Sequence, residues 1–144
     1  GLGWVAESRR IFTDLTVREN LWIGARPGVW GSPRQMETWL LEGFAPLRAM
    51  LDRNAARMSG GEQQMLALAR TLMGQPDMLL LDEPCEGIAP VLVQTIRHVL
   101  QELSLRGTAM LVAEQGAVLS AQAHRSMKMV SGRLSNEPSG NPLH

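Results

Sequence analysis

The chain contains almost no lysine: Lys128 is the single lysine among its 14 basic residues, and the others are arginines. A phosphate-binding P-loop has the form G-x-x-x-x-G-K-[ST], and its lysine contacts the β- and γ-phosphates of a nucleotide. Lys128 lies within residues 126–130, and no glycine-rich segment precedes it. The sequence as given therefore contains no P-loop of this kind.

Other scarce features narrow the class of protein further. The single cysteine, Cys85, cannot form an internal disulfide, which is typical of proteins from a reducing compartment. No apolar run approaches the ~20 residues that a membrane-crossing helix needs. The 14 basic and 14 acidic residues cancel, so we expect no nucleic-acid partner. Because Gly1 stands at the start of an apolar, strand-like segment, we expect the chain to be a piece of a longer protein.

Three short apolar segments predict β-strands, at residues 2–6, 78–81 and 109–113. We expect the first strand to be buried, and the second to be covered on both faces because all four of its residues are apolar. A helical pattern beginning at Pro90 separates the second strand from the third. This strand–helix–strand order predicts an α/β layer with a parallel sheet.

Helix-start signals dominate the segment between the first two strands. Thr16 with Glu19, and Ser59 with Glu62, have the spacing of capping boxes. Ser32 followed by a proline predicts a further helix start. We expect a short helical piece at residues 47–51, and Gly74 and Pro76 to end the helix that begins after Ser59.

The last part of the chain has weaker signals. We expect a short helix within residues 116–123, a strand at 127–130 and a turn at Gly132. From residue 136 onward, proline, serine, glycine and asparagine predominate, which predicts a disordered tail at residues 136–144.

Residues Ser59, Gly60 and Gly61 form the first candidate site. Glycine lets a ligand approach the backbone closely, and a helix start offers free N–H groups and a partial positive charge. These properties suit a terminal phosphate. An ordinary helix cap completed by Glu62 explains the same residues, and the two interpretations are compatible.

Asp82 and Glu83 form the second candidate site, directly after the apolar strand at 78–81. Open α/β folds bind ligands at the carboxyl ends of their strands. There Asp82 could hold Mg²⁺ through water, and Glu83 could act as the base that positions attacking water. An acidic turn closed by Pro84 is the alternative.

Together, residues 58–64 (MSGGEQQ) and 78–84 (MLLLDEP) resemble the ATP-binding-cassette (ABC) ATPases. Residues 59–63 match the signature motif of that family and 79–82 match its Walker B strand. The resemblance extends from residue 2 to about residue 134. It implies the α/β core of a P-loop NTPase without its amino-terminal P-loop part. Its implied divisions are a core strand and Q-loop (1–15), a helical subdomain with the signature (16–75), a part with Walker B, D-loop and switch (76–135) and the tail (136–144).

The resemblance also implies roles for individual residues. Family members pair head to tail as homo- or heterodimers, so the signature would contact ATP held by the other cassette. The implied contacts with that ATP are made by Ser59, Gly60, Gly61, Glu62 and Gln63. Asp82 would hold Mg²⁺ through water, and Glu83 would be the catalytic base. Gln115 occupies the catalytic switch position, where histidine is usual. Glu7 occupies the Q-loop position, where glutamine is usual, and is a candidate nucleotide contact and magnesium ligand.

These two departures, with residues 7–12, 16–21, 86–90 and 114–115, resemble the smaller ATPase subunit of branched-chain amino acid importers. That branch implies a membrane-associated cassette on the cytoplasmic face of the cell membrane, bound to transmembrane permease subunits and served indirectly by a solute-binding protein. A urea or amide importer cassette and a non-transport ABC ATPase are the alternatives. The intact protein would hydrolyse ATP, whereas a chain without a P-loop is expected to be inactive alone.

Overall fold

The computed structural model describes residues 1–116 and 118–136. The helices are α1 (Val17–Gly24), α2 (Pro33–Gly43), α3 (Ala45–Arg48), α4 (Gly60–Leu72) and α5 (Pro90–Leu105). The strands are β1 (Leu2–Val5), β2 (Met78–Asp82), β3 (Ala109–Ala113), β4 (Met127–Val130) and β5 (Arg133–Asn136). Single turns of 3-10 helix occur at Ala55–Arg57 and Ser120–Gln122.

Strands β1, β2 and β3 form a parallel sheet in that order, as the sequence predicted. Trp4 pairs with Leu80, and Leu80 pairs with Leu111. Strands β4 and β5 form a separate antiparallel hairpin, and Gly132 in its turn has a φ of 75°. This left-handed conformation favours glycine, which confirms the predicted turn.

In the part of the chain that the structure describes, helices cover one face of the parallel sheet. Gly3, Val5, Leu79 and Leu81 are buried on the covered face, where Gly3 fits tightly against Thr71 of α4. On the opposite face Leu2 is 65% exposed, and the side chains in line with it include Trp4 and Leu111, at 55% each.

The expectations of a buried first strand and of a second strand covered on both faces are therefore wrong. Both strand-to-strand connections cross the sheet in the same direction. Right-handed crossovers then place the intervening helices on the same face. The other face stays open among the described residues, and Met78 there is 37% exposed.

The predicted capping boxes are confirmed at the starts of α1 and α4. Helix α2 begins after Ser32 as expected, and Gln35 completes a third capping box there. The short helix lies earlier than predicted, at Ala45–Arg48, because Pro46 stands in its first turn rather than interrupting it.

Helix α4 ends before Gly74, as predicted. Gln75, between Gly74 and Pro76, has a left-handed φ of 48°. Among the described residues of the range 116–123, where a short helix was expected, the structure has a 3-10 turn at Ser120–Gln122. The predicted tail lies outside the described residues except for Asn136, which is the last residue of β5.

The core joins the helices to the covered face of the sheet. Its fully buried large side chains come from α1, α2, α3, α4, α5, β2 and the segments that link them: Phe44, Leu21, Leu40, Leu47, Met65, Leu66, Leu68, Leu72, Met73, Leu79, Ile96 and Leu103. Most of them recur at the three- and four-residue spacing of one helix face. Helix α4 is the central element, because it packs against α1, α3, α5 and β1.

Candidate functional site

The carboxyl ends of β2 and β3 bring the strand-end polar residues together. Asp82 pairs with Ala113, and the N–H of Glu83 donates to the carbonyl oxygen of Ala113 at 2.9 Å. Glu83 therefore lies beside Glu114 at this edge of the sheet, and Gln115 follows directly. The structure thus places the segments that carry two predicted catalytic residues next to each other.

Asp82 continues the alternation of β2 onto the open face of the sheet, where it is exposed. Glu83 is half-buried and has a φ of 45°, in the left-handed region that a residue with a Cβ rarely adopts. The N–H of Glu86 donates to the carbonyl of Glu83 at 3.2 Å, so Pro84 occupies the second position of a turn. At this turn, which begins at Glu83, the chain leaves the sheet.

The loop after β1 lies at the same edge, since β1 runs parallel to β2. Glu7 is exposed in this loop. Arg9 and Arg10 follow with φ values of 60° and 45°. Non-glycine residues in this region store backbone strain, which is often found at functional sites.

The start of α4 is a complete capping box. The N–H of Glu62 donates to Oγ of Ser59 at 3.3 Å, and Oε2 of Glu62 accepts from the N–H of Ser59 at 2.7 Å. Nε2 of Gln63 donates to the carbonyl of Met58 at 3.3 Å. Gly60 and Gly61 occupy the first turn, where helix geometry gives their N–H groups no acceptor within the helix. The helix start therefore combines a complete cap with two N–H groups that have no acceptor within the helix.

Close packing places the start of α4 near the loops that follow β1 and β2. A Cβ on Gly60 would lie 2.5 Å from Nη1 of Arg9. A Cβ on Gly61 would lie 2.8 Å from Cδ1 of Leu92 and 3.2 Å from Cγ2 of Ile88. Both positions are thus crowded, by residues of the loops after β1 and β2 and of the first turn of α5, and the signature-like segment lies at the same end of the molecule as Glu83.

Glu114 is a residue of this edge that the sequence reasoning did not assign to a role of its own. Its Oε1 accepts from the N–H of Leu119 at 2.9 Å and from the N–H of Ser120 at 3.1 Å. The signal that could have identified it is its position, since a carboxylate follows the third apolar strand just as Asp82 ends the second.

Burial raises the pKa of Cys85 to about 11, with a smaller increase from the charge of Glu114 and an opposing effect of Arg97. The thiol therefore stays protonated at neutral pH. A protonated thiol is typical of a packing residue rather than of a reactive one.

The donor chemistry of the site suits Mg²⁺. Asp82 offers an exposed carboxylate at the strand end, and Mg²⁺ is commonly held by one or two carboxylates together with substrate phosphates and water. Within residues 1–116 and 118–136, no three side chains of His, Cys, Asp or Glu are grouped so that they could hold a metal by themselves. Asp82 would thus hold the ion only together with other ligands.

Helix length and polarity bear on membrane insertion. Across the described part of the chain, no helix combines the length and the apolar character that a transmembrane span requires.

The structure is an α/β layer: helices pack on a parallel sheet, carboxylates lie beyond the strand ends, and a glycine-rich helix start lies at the same end. Carboxyl strand ends and helix starts are the places where α/β proteins commonly bind phosphate ligands. The chain belongs to the ABC transporter family, whose model matches residues 1–86. This confirms the family that the two motifs indicated.

Two curated relatives are branched-chain amino acid transport proteins. The chain is 38% identical over 140 residues to the high-affinity branched-chain amino acid transport ATP-binding protein BraG of Pseudomonas aeruginosa, covering 96% of this chain and 60% of the relative. It is 31% identical over 145 residues to the probable ATP-binding protein LivF of Archaeoglobus fulgidus, covering 99% of this chain and 61% of the relative. The chain thus spans about three fifths of the length of these relatives.

Other relatives carry different names. The probable multidrug ABC transporter ATP-binding protein YbhF of Escherichia coli is 37% identical over 134 residues, which is 92% of this chain and 23% of that protein. Lipoprotein-releasing and molybdenum-import ATP-binding proteins are also similar. The relatives therefore agree on the ATP-binding class and differ in the transported substrate.

Solved structures confirm the fold. The dimeric ATP-binding cassette MJ0796 bound to ADP and Pi aligns with a TM-score of 0.77 at 21% identity, over 94% of this chain and 62% of that one. The ATP-binding cassette MJ1267 aligns with a TM-score of 0.73 at 25% identity, over 93% of this chain and 59% of that one. The described layer is therefore part of an ABC cassette.

Proposed function

We propose that the chain is the signature-bearing part of a cassette that hydrolyses ATP to drive an importer of branched-chain or related amino acids. The observation that carries the proposal is the grouping at one sheet edge. Asp82 ends β2 and Glu83 follows it, Gln115 lies in the segment after the neighbouring strand β3, and the start of α4 lies at the same end.

Glu83 is the proposed general base. Its carboxylate accepts the proton of the water that attacks the γ-phosphate of ATP, while Asp82 is the residue that would hold Mg²⁺ through water. Mg²⁺ supplies charge neutralisation at the phosphates when bound. Gln115 donates an amide hydrogen bond to the γ-phosphate, and unlike histidine it cannot become a cation. Glu7 is the proposed further contact at the loop after β1.

The start of α4 is proposed to act on a nucleotide held by a second cassette. The N–H groups of Gly60 and Gly61 have no acceptor within the helix. Ser59, Glu62 and Gln63 are the other proposed contacts with that nucleotide. The dimeric cassettes among the similar structures support a paired arrangement. ATP bound between two cassettes would favour the closed pair, and hydrolysis would release it.

The proposed partners are a second identical or sister cassette and transmembrane permease subunits, with a solute-binding protein as an indirect partner. The proposed location is the cytoplasmic face of the cell membrane, where the cassette is peripheral. The names of the two branched-chain transport relatives support the amino acid substrate. Uptake of labelled leucine and of labelled urea by vesicles containing the intact transporter tests it: ATP-dependent leucine uptake supports the proposal, and uptake of urea alone overturns it.

The base assignment is tested with Glu83→Gln in the intact cassette. Loss of the proton acceptor should lower kcat at least about 100-fold while ATP binding is kept. Glu42→Gln, an exposed change on α2, is the matched control and should leave turnover unchanged. Near-normal hydrolysis by the Glu83 variant would refute the assignment.

For residues 1–144 by themselves we propose that neither tight ATP binding nor hydrolysis occurs. The sequence has no P-loop lysine to contact the β- and γ-phosphates. Calorimetric titration of this chain with Mg-ATP is the measurement, and micromolar affinity would contradict the proposal.

A further inference from the structure

One carboxylate after β3 accepts hydrogen bonds from two backbone N–H groups further along the chain. Glu114 is the first residue beyond β3, and its Oε1 accepts two backbone N–H groups, from Leu119 at 2.9 Å and from Ser120 at 3.1 Å. Leu119 is buried and Glu114 is half-buried, so water competes poorly for these hydrogen bonds. Gln115 follows Glu114 in the chain and lies in sequence between it and these two donors.

The sheet holds the backbone on the amino-terminal side of Glu114. The pairing of Asp82 with Ala113 and the hydrogen bond from Glu83 to the carbonyl of Ala113 fix the backbone immediately before Glu114. One residue is therefore tied to the strand that carries the proposed base and to the loop that carries the proposed phosphate ligand.

We propose that Glu114 is a positioning residue for ATP hydrolysis, which closes the loop after β3 and so holds Gln115 at a fixed place beside Glu83. The inference rests on the proposed function, because it takes the phosphate-contacting role of Gln115 from there. It adds a residue that acts through Gln115 and that does not itself touch the nucleotide.

The surroundings of Glu114 also tie it to the turn after Glu83. Its negative charge helps to keep Cys85 protonated, with burial as the larger cause and Arg97 acting in the opposite direction. Cys85 belongs to the segment that follows Pro84. The carboxylate thus lies near both chain segments that leave the sheet edge, which is where a residue that sets their relative position must be.

The contact geometry is tested on the chain of residues 1–144. Glu114→Ala should raise the hydrogen exchange rate of the Leu119 and Ser120 amides at least about tenfold, because their acceptor is lost. Glu42→Ala, which removes an exposed carboxylate on α2, should leave these rates unchanged. Unchanged exchange in the Glu114 variant would overturn the inference.

The single cysteine provides an independent probe of the same contact. Glu114→Gln removes a charge that raises the pKa of the Cys85 thiol, so alkylation by iodoacetamide at pH 8.5 should become at least about twofold faster. Glu42→Gln should alkylate at the original rate. An equal rate in both variants would show that Glu114 does not lie near the turn.

The functional part is tested by steady-state kinetics of the intact cassette. Glu114→Ala should lower kcat at least about tenfold and change KM for ATP by less than about threefold, since nucleotide contacts remain. Glu114→Gln keeps an acceptor oxygen and should recover most of the rate. A rise in KM with an unchanged kcat would contradict a positioning role.

A double-variant cycle separates this inference from the proposed function. If Glu114 acts through Gln115, adding Glu114→Ala to Gln115→Ala should cost less than about a further twofold in kcat. Fully multiplicative effects would overturn the inference while leaving the proposed function intact. Wild-type turnover by Gln115→Ala alone would instead refute the role of Gln115 in the proposed function, and the exchange experiment would still report whether the loop is closed by Glu114.

Discussion

The N–H of Glu83 donates a 2.9 Å hydrogen bond to the carbonyl oxygen of Ala113. This bond extends the pairing of β2 and β3 by one step, past the last paired residues. It is formed although Glu83 has a φ of 45°, so the backbone is held in an unfavourable conformation where the chain leaves the sheet. The proposed base thus occupies a position fixed by the neighbouring strand.

The backbone conformation at Glu83 predicts an unusual preference for glycine. Glu83→Gly should be more stable than Glu83→Ala by about 1 kcal/mol, because only the alanine variant keeps a Cβ in the left-handed region. The measurement is the free energy of unfolding in urea for both variants of the 144-residue chain. At Gln94, inside α5, the order should be reversed by about 1 kcal/mol, because glycine is disfavoured there. A glycine that is no better than alanine at position 83 would contradict the strain.

Gln75 should be essential to the loop between α1 and α2. Its Oε1 accepts from the N–H of Trp30 at 2.8 Å, and its Nε2 donates to the carbonyls of Arg26 and Gly31 at 2.9 Å each. Gln75→Ala removes all three hydrogen bonds at a buried site and should lower the free energy of unfolding by about 3 kcal/mol.

The left-handed φ of Gln75 provides the control for that change. Gln75→Gly also loses the amide but relieves the backbone, so it should be less destabilised than Gln75→Ala by about 1 kcal/mol. Urea unfolding measures both variants. A loss below about 1 kcal/mol in the alanine variant would mean that the three hydrogen bonds are replaced by water.

Arg106 should connect α5 to the aromatic pair of the helical region. Its guanidinium lies 5.1 Å from the ring centre of Trp30 and 4.9 Å from that of Trp39. The two rings are themselves 5.4 Å apart and nearly perpendicular. Because Arg106 is exposed, a double-mutant cycle of Arg106→Gln with Trp39→Leu should give a coupling of about 0.5–1 kcal/mol in urea unfolding. A coupling of zero would show that the contact adds nothing to stability.

The cap of α1 predicts an acid-sensitive helix start. The backbone N–H of Thr16 and, to a smaller extent, its side chain donate to Glu19 and lower the pKa of that carboxyl below 4.5. Its contribution to stability is therefore present above pH 4.5 and is lost as the pH falls through the lowered pKa. The stability difference between wild type and Glu19→Gln, measured by urea unfolding from pH 7 to pH 3, should shrink on acidification. A difference that is independent of pH would contradict this.

The local elements could be predicted because their causes are local. The capping boxes at Thr16 and Ser59 need only a hydroxyl and a carboxylate three residues apart, and both formed as expected. The apolar runs that became β2 and β3 end where polar residues or a turn begin. The family followed from the two motifs for the same reason, since each is a contiguous stretch of sequence.

Which faces of the sheet are covered by helices could not be predicted from such local patterns. The run at 78–81 is apolar throughout, which suggests two buried faces, yet Met78 is exposed and Leu79 is buried. Apolar residues show that both faces of a strand could be buried, but not that both are. The side on which helices pack depends on the handedness of the crossovers, which is a property of the tertiary fold.

In the candidate site, too, some features follow from the sequence and others only from the tertiary structure. The sequence by itself determined which groups are available: the carboxylates of Asp82 and Glu83, the amide of Gln115 and the glycines at the start of α4. Only the tertiary structure decided that Glu83 lies beside Glu114 and that Glu114 accepts hydrogen bonds from the N–H groups of Leu119 and Ser120. The first contact joins residues that are distant in sequence, and it is set by the register of the strands. The second depends on the conformation of a loop, which the residue types in that loop do not indicate. Both are fixed only when the helices and strands have packed.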